Sequence, residues 1–331
     1  MNILVTGVAG GIGSTVCNYL DLNGHKLTMI DNLKYGYIEN IKQNRQYDNF
    51  YKYDIRDSNI INFQPHINYD AILHFAAITS LPECESNIQN SISVNLEGTA
   101  NILEFARKRN IPYVFFTSTS AVYENNKEDL LEESYSVCPR LWYSLSKKMA
   151  EDLCESYRNN YGMTITTARL FNVFGPKQDI HRKNPPLINY LVREFINNRQ
   201  PILHSNGLQR RDYINIDDVI QFLNCCLEKQ PNTTLNVCTG KTITVLDIVN
   251  IVKRTLNVNI EPIYRDATML WNTYPELFSG HYSLSKNVVS SETNKACRGS
   301  NYLAQKTLGW TPSIDVYESI EQTVLKIKDN L

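Results

Sequence analysis

No stretch of this chain approaches the roughly 20 consecutive apolar residues of a membrane span. It has no excess of one charge either: 33 Lys and Arg stand against 34 Asp and Glu, a formal charge of −1. That balance gives no hold on nucleic acid or on an anionic lipid surface. The eight cysteines are scattered without a CxxC spacing, and Cys225-Cys226 is only a vicinal pair, so no metal site is expected. Their apolar neighbours mark them mostly as buried thiols of a reducing compartment. Internal repeats and low-complexity stretches are absent. An apolar strand starting at Asn2 leaves no room for a signal peptide, so a cytoplasmic protein is expected. The 331 residues suffice for one or two domains with a substantial core.

What is present starts at once. Ile3-Leu-Val-Thr-Gly-Val-Ala-Gly-Gly-Ile-Gly13 runs an apolar strand into a glycine turn and then a helix. Gly7 permits the tight turn, Gly10 lets backbone approach a pyrophosphate, and Gly13 lets helix and strand pack closely. Gly11 and Ile12 lie at the helix N-terminus, whose free N–H groups and positive dipole end suit phosphates. Lys26–Ile30 read as a second buried strand ending at Asp31. An acidic residue there accepts hydrogen bonds from an adenosine ribose and repels a 2′-phosphate, which favours NAD over NADP. Lys34 softens that preference. A plain helix N-cap is the alternative role for Asp31.

The first half alternates β-rich and helical segments. Strands are expected at 2–6, 26–31, 50–54, 70–75, 112–117 and 163–169, and helices at 11–23, 85–108 and 140–160. Alternation of this kind builds βαβ units and a parallel sheet covered on both faces. The fold class is therefore α/β, a Rossmann-like doubly wound parallel sheet with a smaller C-terminal α/β substrate domain. Residues 1–174 form the first domain in this reading and 175–331 the second, with 212–240 a candidate to return to the first. A basic loop, His181-Arg182-Lys183-Asn184-Pro185-Pro186, leads to a helix near 187–198. Segment 265–300 has no assignable pattern.

Tyr143 and Lys147 are spaced i, i+4 at the start of a predicted helix, one turn apart on one face. An adjacent ammonium, with an oxidised nicotinamide, would lower the Tyr143 pKa and make its phenolate a general base. Upstream, strand 112–117 runs into Thr117-Ser-Thr-Ser-Ala-Val-Tyr123. Its hydroxyls would face the crevice at the carboxyl end of the sheet, Thr119 bonding the oxygen that Tyr143 deprotonates. Capping is the competing role for Ser118 and Ser120.

These motifs occur in order with Asp54-Ile55, His74-Phe-Ala-Ala77, Val94-Asn95 and Arg169-Leu-Phe-Asn-Val-Phe-Gly-Pro176. Gln209-Arg-Arg-Asp-Tyr-Ile-Asn-Ile-Asp-Asp218, Leu235-Asn-Val-Cys-Thr-Gly240 and Leu308-Gly-Trp-Thr-Pro312 follow. Together they resemble the extended short-chain dehydrogenase/reductases, and within them the nucleotide-sugar epimerase/dehydratase family. The resemblance spans almost the whole chain except roughly 265–300. It implies that Asn32, Asp54, Ile55, Ala76, Ala77 and Asn95 line the NAD path. Ser80, Ser120 and Asn172 would meet a nucleotide-diphosphate sugar, with Arg211 and Arg298 on its diphosphate. It further implies a homodimer through helices 85–108 and 140–160.

The resemblance also bears on the reaction. Its members first oxidise the sugar at C4. Dehydratases of this kind carry Asp-Glu after the threonine, and decarboxylases a Glu in the second place, where this chain has Ser120 and Ala121. Alanine transfers no proton, so those chemistries are disfavoured. A 4-epimerase that returns the hydride and a 4-dehydrogenase that releases the keto sugar both remain, since no residue separates them. The intact YxxxK argues against a non-catalytic dinucleotide sensor, and Asp31 against an NADPH-linked reductase. Two departures stand out: Glu124-Asn125 where glycine usually follows Val-Tyr, and Glu83 where a basic or polar residue is usual. Either carboxylate could bind sugar hydroxyls; a solvated loop charge is the plainer expectation.

Overall fold

Seven short apolar runs meet in one parallel sheet in the computed structural model of this chain. The structure describes residues 1–330 except Pro65, Asn125 and Lys127, and Ile61 by backbone only; the Asn125 departure therefore lies outside the described residues. The strands are β1 (Asn2–Thr6), β2 (Lys26–Asp31), β3 (Phe50–Lys52), β4 (Ala71–His74), β5 (Tyr113–Thr119), β6 (Thr164–Leu170) and β7 (Thr234–Val237). They lie in the order β7-β6-β5-β4-β1-β2-β3. The order reverses between β1 and β4, and ligands of open α/β sheets bind at such a switch point, beyond the carboxyl ends of the strands.

The strands are apolar on both faces because helices cover both. Ile3, Val5, Met29, Leu73 and Phe115 face α1 (Gly11–Leu22) and α5 (Ile216–Lys229), meeting Val16, Leu20, Val219 and Phe222. Leu4, Ile30, Ile72, Val114 and Phe116 point the other way, onto α2 (Gly98–Lys108) and α3 (Trp142–Tyr161) through Ile102, Phe105, Ala150 and Cys154. Period-two alternation thus assigns neighbours in one strand to two cores. Each such side chain contributes roughly 1.5–3 kcal/mol of burial.

A separate apolar cluster joins α4 (Leu187–Ile196), α6 (Val245–Leu256) and α7 (Val316–Asp329) around Phe174, Leu191, Ile248 and Val324. Between these helices the chain returns to the sheet twice. Residues 216–237 supply α5 and the edge strand β7, which pairs with β6 from Thr234↔Thr167 to Val237↔Leu170. Ala304, Leu308 and Trp310 then join the sheet core, the Trp310 ring meeting Phe222 edge-on at 5.1 Å. The second return has no counterpart in the sequence reading.

Two expected elements differ. Helix 85–108 is divided into Leu81–Ser86, Ile88–Ile92, a wide π turn at Ser93–Glu97, and α2. Asn87 breaks it with an extended backbone, and its side chain accepts from Asn90 N–H to start the next piece. Segment 265–300 proves to be structured. Ile263–Arg265 pairs with Ile202–His204, a helix spans Lys286–Asn294, and Arg298–Gly299 pairs with Leu130–Leu131. Trp271, Tyr274, Leu277 and Val289 pack around Leu141, the residue before α3.

Candidate active site

The carboxyl ends of the strands open into a cleft of about 800 Å³, in the range of small-molecule sites. The glycine loop forms one end. Gly7 has φ of 73°, in the left-handed region that favours glycine, and a Cβ there would lie 2.5 Å from Ala76 N. A Cβ on Gly13 would meet Gly7 O at 2.2 Å, so α1 can seat only on glycine. Gly11 makes room for the Lys177 carbonyl, 2.9 Å from its hypothetical Cβ. Gly10 differs: its nearest such neighbour is Gly7 O at 3.4 Å. The space over Gly10 belongs to the cleft, which Gly7, Gly10, Gly11, Ile12 and Gly13 all line.

Asp31 ends β2 and latches this loop, accepting Ala9 N–H on one oxygen (3.0 Å) and Leu33 N–H on the other (2.8 Å). It caps no helix. Burial pushes its carboxyl up while the two amides pull it down. A carboxylate has about four acceptor positions, so both oxygens keep capacity toward the cleft. Asn32 donates to Asp54 at 2.9 Å. Arg56 pairs with the same carboxylate at 2.7 Å and, with Asn32, holds it well below its usual range. Ile55, Ala76 and Ala77 line the cleft with them. Asn95 does not. It is fully buried, and its amide accepts from Ile78 N–H (2.8 Å) and donates to Ile78 O (3.0 Å) and Ser146 Oγ (3.1 Å). The π turn brings it there, behind the wall it supports, and this corrects its expected place on the NAD path.

At the other end Thr119, Tyr143 and Lys147 line the cleft together. Thr119 closes β5, and its hydroxyl both accepts Ala121 N–H at 3.1 Å and bonds the Tyr143 phenol. Thus it caps a turn and faces the site at once. The expected depression of the Tyr143 pKa does not arise from the protein alone. Burial raises it to about 12, opposed by the Thr119 hydrogen bond and the Arg182 charge. The i, i+4 spacing puts Lys147 on the right helix face, but its ammonium lies over the Phe116 ring, 4.3 Å from the centroid. Burial lowers Lys147 to about 8, and no carboxylate pairs with it among the described residues. The nearby Glu151 is already engaged by Arg169 (2.8 Å) and Ser118 (2.5 Å).

α3 has no side-chain cap of its own. Two carboxylates from other elements supply one. Glu124 accepts the N–H groups of Arg140 (3.1 Å) and Leu141 (3.0 Å), and Glu85 accepts that of Trp142 (2.5 Å). The unusual Glu124 is therefore neither a sugar ligand nor a solvated charge; it anchors the first turn of the helix that carries Tyr143. Burial and the neighbouring Glu124 raise Glu85 to about 7.

Of the residues expected to meet substrate, Ser80 and Asn172 line the cleft, the latter donating to Asp212 O at 2.8 Å. Ser120, Arg211 and Arg298 do not. Arg211 is held by the Glu292 carbonyl (2.7 Å), at the C-terminal end of the 286–294 helix, and Arg298 by Asp129 (2.8 Å). Instead the cleft wall presents Arg182, Lys183, Tyr274 and Glu83. The basic loop signalled the first two by composition. Nothing signalled Tyr274, which arrives through the Leu141 cluster.

The residues present fit a dinucleotide, since open space over Gly10 and spare acceptors on Asp31 lie in the same cleft as the buried phenol. Comparison with known proteins agrees. The NAD dependent epimerase/dehydratase family profile matches residues 3–238. A putative UDP-glucose 4-epimerase of Methanocaldococcus jannaschii is 29% identical over 335 residues, covering 99% of each chain. The UDP-glucuronate 4-epimerase of Thermodesulfobacterium geofontis is 26% identical, covering 99% of this chain and 96% of its own. The crystal structure of Thermotoga maritima UDP-glucose 4-epimerase with UDP-glucose superposes with a TM-score of 0.87 at 26% identity, covering 100% and 99%.

Proposed function

This chain belongs to the NAD dependent epimerase/dehydratase family, and from that membership we propose that it is a nucleotide-sugar 4-epimerase. The observation that carries the reading is the composition of one cleft. A glycine loop with its acidic partner Asp31 stands at one end, Thr119, Tyr143 and Lys147 at the other. Ala121 stands where a dehydratase or decarboxylase needs a proton carrier. The relatives described above act on UDP-sugars by name, which supports a UDP-sugar substrate.

Bound along Gly10 and Asp31, NAD supplies the hydride acceptor and donor for C4. Tyr143 takes and returns the C4 hydroxyl proton, and Thr119 holds the same oxygen. A phenol raised to about 12 is a poor base at neutral pH until positive charge approaches it. Lys147 is half-neutralised near pH 8 and can stand beside the ribose without an ion-pair partner of its own. Dimerisation is part of the same reading. α3 exposes Met149 and Tyr161, apolar surface that a second copy would cover.

The test is a mass-spectrometric screen of the purified protein with UDP-, GDP-, CDP- and dTDP-sugars, with NADH absorbance followed alongside. An isomer of unchanged mass without net NADH is expected. A product lighter by two hydrogens would establish a 4-dehydrogenase instead, and loss of water a dehydratase.

A further inference from the structure

The wall opposite the glycine loop has an unusual charge arrangement. Its two carboxylates are already occupied. Glu83 accepts the Tyr35 hydroxyl, while Asp179 accepts the Tyr37 hydroxyl (2.9 Å) and the N–H groups of His181 and Arg182. Its two cations have no carboxylate partner among the described residues. Lys183 lies over the Tyr274 ring, 3.8 Å from the centroid. The half-buried Arg182 donates from Nε to Asn184 O (2.7 Å) and from Nη1 to Thr79 at a long 3.4 Å. No hydrogen bond is made by Nη2 among the described residues. A half-buried guanidinium with spare donors in a ligand cleft suits an oxyanion, which takes its fork geometry at little ordering cost.

We propose that Arg182, assisted by Lys183, recognises a carboxylate on the substrate's sugar ring, so that the preferred substrates are nucleotide hexuronates. This deepens the epimerase reading and rests on it. Two anions of such a substrate could meet a guanidinium: the diphosphate and a ring carboxylate. Position favours the second. Arg182 bonds Thr79, in the loop that carries Ser80, and its charge acts on the Tyr143 phenol. It therefore belongs to the C4 end of the sugar. A C6 carboxylate is joined to C4 through C5 alone, whereas the diphosphate leaves from the anomeric carbon across the ring.

The test reads binding rather than turnover. Titration calorimetry on the NAD-loaded Tyr143→Phe protein gives Kd for UDP-glucuronate, UDP-glucose and UDP. UDP-glucuronate is expected to bind ~10-fold or more tightly than UDP-glucose, the scale of one hydrogen-bonded ion pair. Adding Arg182→Gln should bring that ratio close to one. If the ratio is near one before the substitution, the inference is wrong and the epimerase reading stands. If Arg182→Gln weakens all three ligands alike, the guanidinium serves the diphosphate and the inference is again overturned. UDP binding, common to all three, reports a folded site in the variant. Failure of every ligand to bind the folded, NAD-loaded protein would sink the epimerase reading and this inference with it.

Discussion

At the scale of single residues, two side chains at the C4 end oppose stability to function. Tyr143→Phe removes only the proton carrier. It should leave NAD binding intact, measured by fluorescence titration, and cut turnover by orders of magnitude; near-normal turnover would refute the general-base role. Lys147 is a buried cation without an ion pair, and its pKa falls from 10.5 in the open chain to about 8 in the fold. The unfolded chain binds more protons between those values, so stability rises with pH there and is lost as pH falls through 8. Lys147→Met should therefore raise the melting temperature at pH 7, by a free energy on the order of 3 kcal/mol at most, while abolishing activity. An unchanged or lower melting temperature would show that the lysine contributes packing that methionine cannot replace. These residues were legible in the sequence because YxxxK and the strand-end threonine are local patterns. The pKa of Tyr143 was not, because burial depends on everything packed around it.

At the scale of elements, α3 is set by contacts from far along the chain. Glu124→Ala frees two N–H groups at its first turn. The expected loss is about 1 kcal/mol, as for a missing N-cap, read as a lower melting temperature. The kcat should fall severalfold with KM little changed, because the phenol loses register with Thr119 while the binding wall stays. An equal rise in KM would assign Glu124 to substrate binding instead. Glu85 has the opposite pH sense to Lys147. Its folded pKa of about 7 lies above the open-chain 4.5, so its stabilisation is full below about 4.5 and lost as pH rises through 7. Most of the strands and helices were readable from periodicity and from the residues that start and stop them. The Thr244–Asp247 capping box of α6 is one such signal. The break at Asn87, the π turn and the trans caps were not readable, since each depends on partners tens of residues away. The same holds for Arg211 and Arg298: motif order marked them for a diphosphate, while the fold ties them to a helix end and to Asp129.

At the scale of the whole molecule, the α3 surface offers a test of assembly. Met149→Asp places a charge on the exposed stripe of that helix, and light scattering should report a monomer where the unsubstituted protein reports a dimer. A dimer that persists would locate the interface elsewhere. The course of the chain between its two cores has a further consequence, for synthesis on the ribosome. The strand that closes the sheet edge, Thr234–Val237, follows its partner Thr164–Leu170 only after a long excursion through the other core. Trp310, which seals the same side against Phe222, comes later still. While the intervening segment is being made, the nascent sheet presents β6 as an unpaired apolar edge, a template for pairing with other chains. Chains stalled or truncated before residue 234 should thus be clients for chaperones and prone to aggregate, whereas a chain ending after Trp310 already holds every piece of the first core.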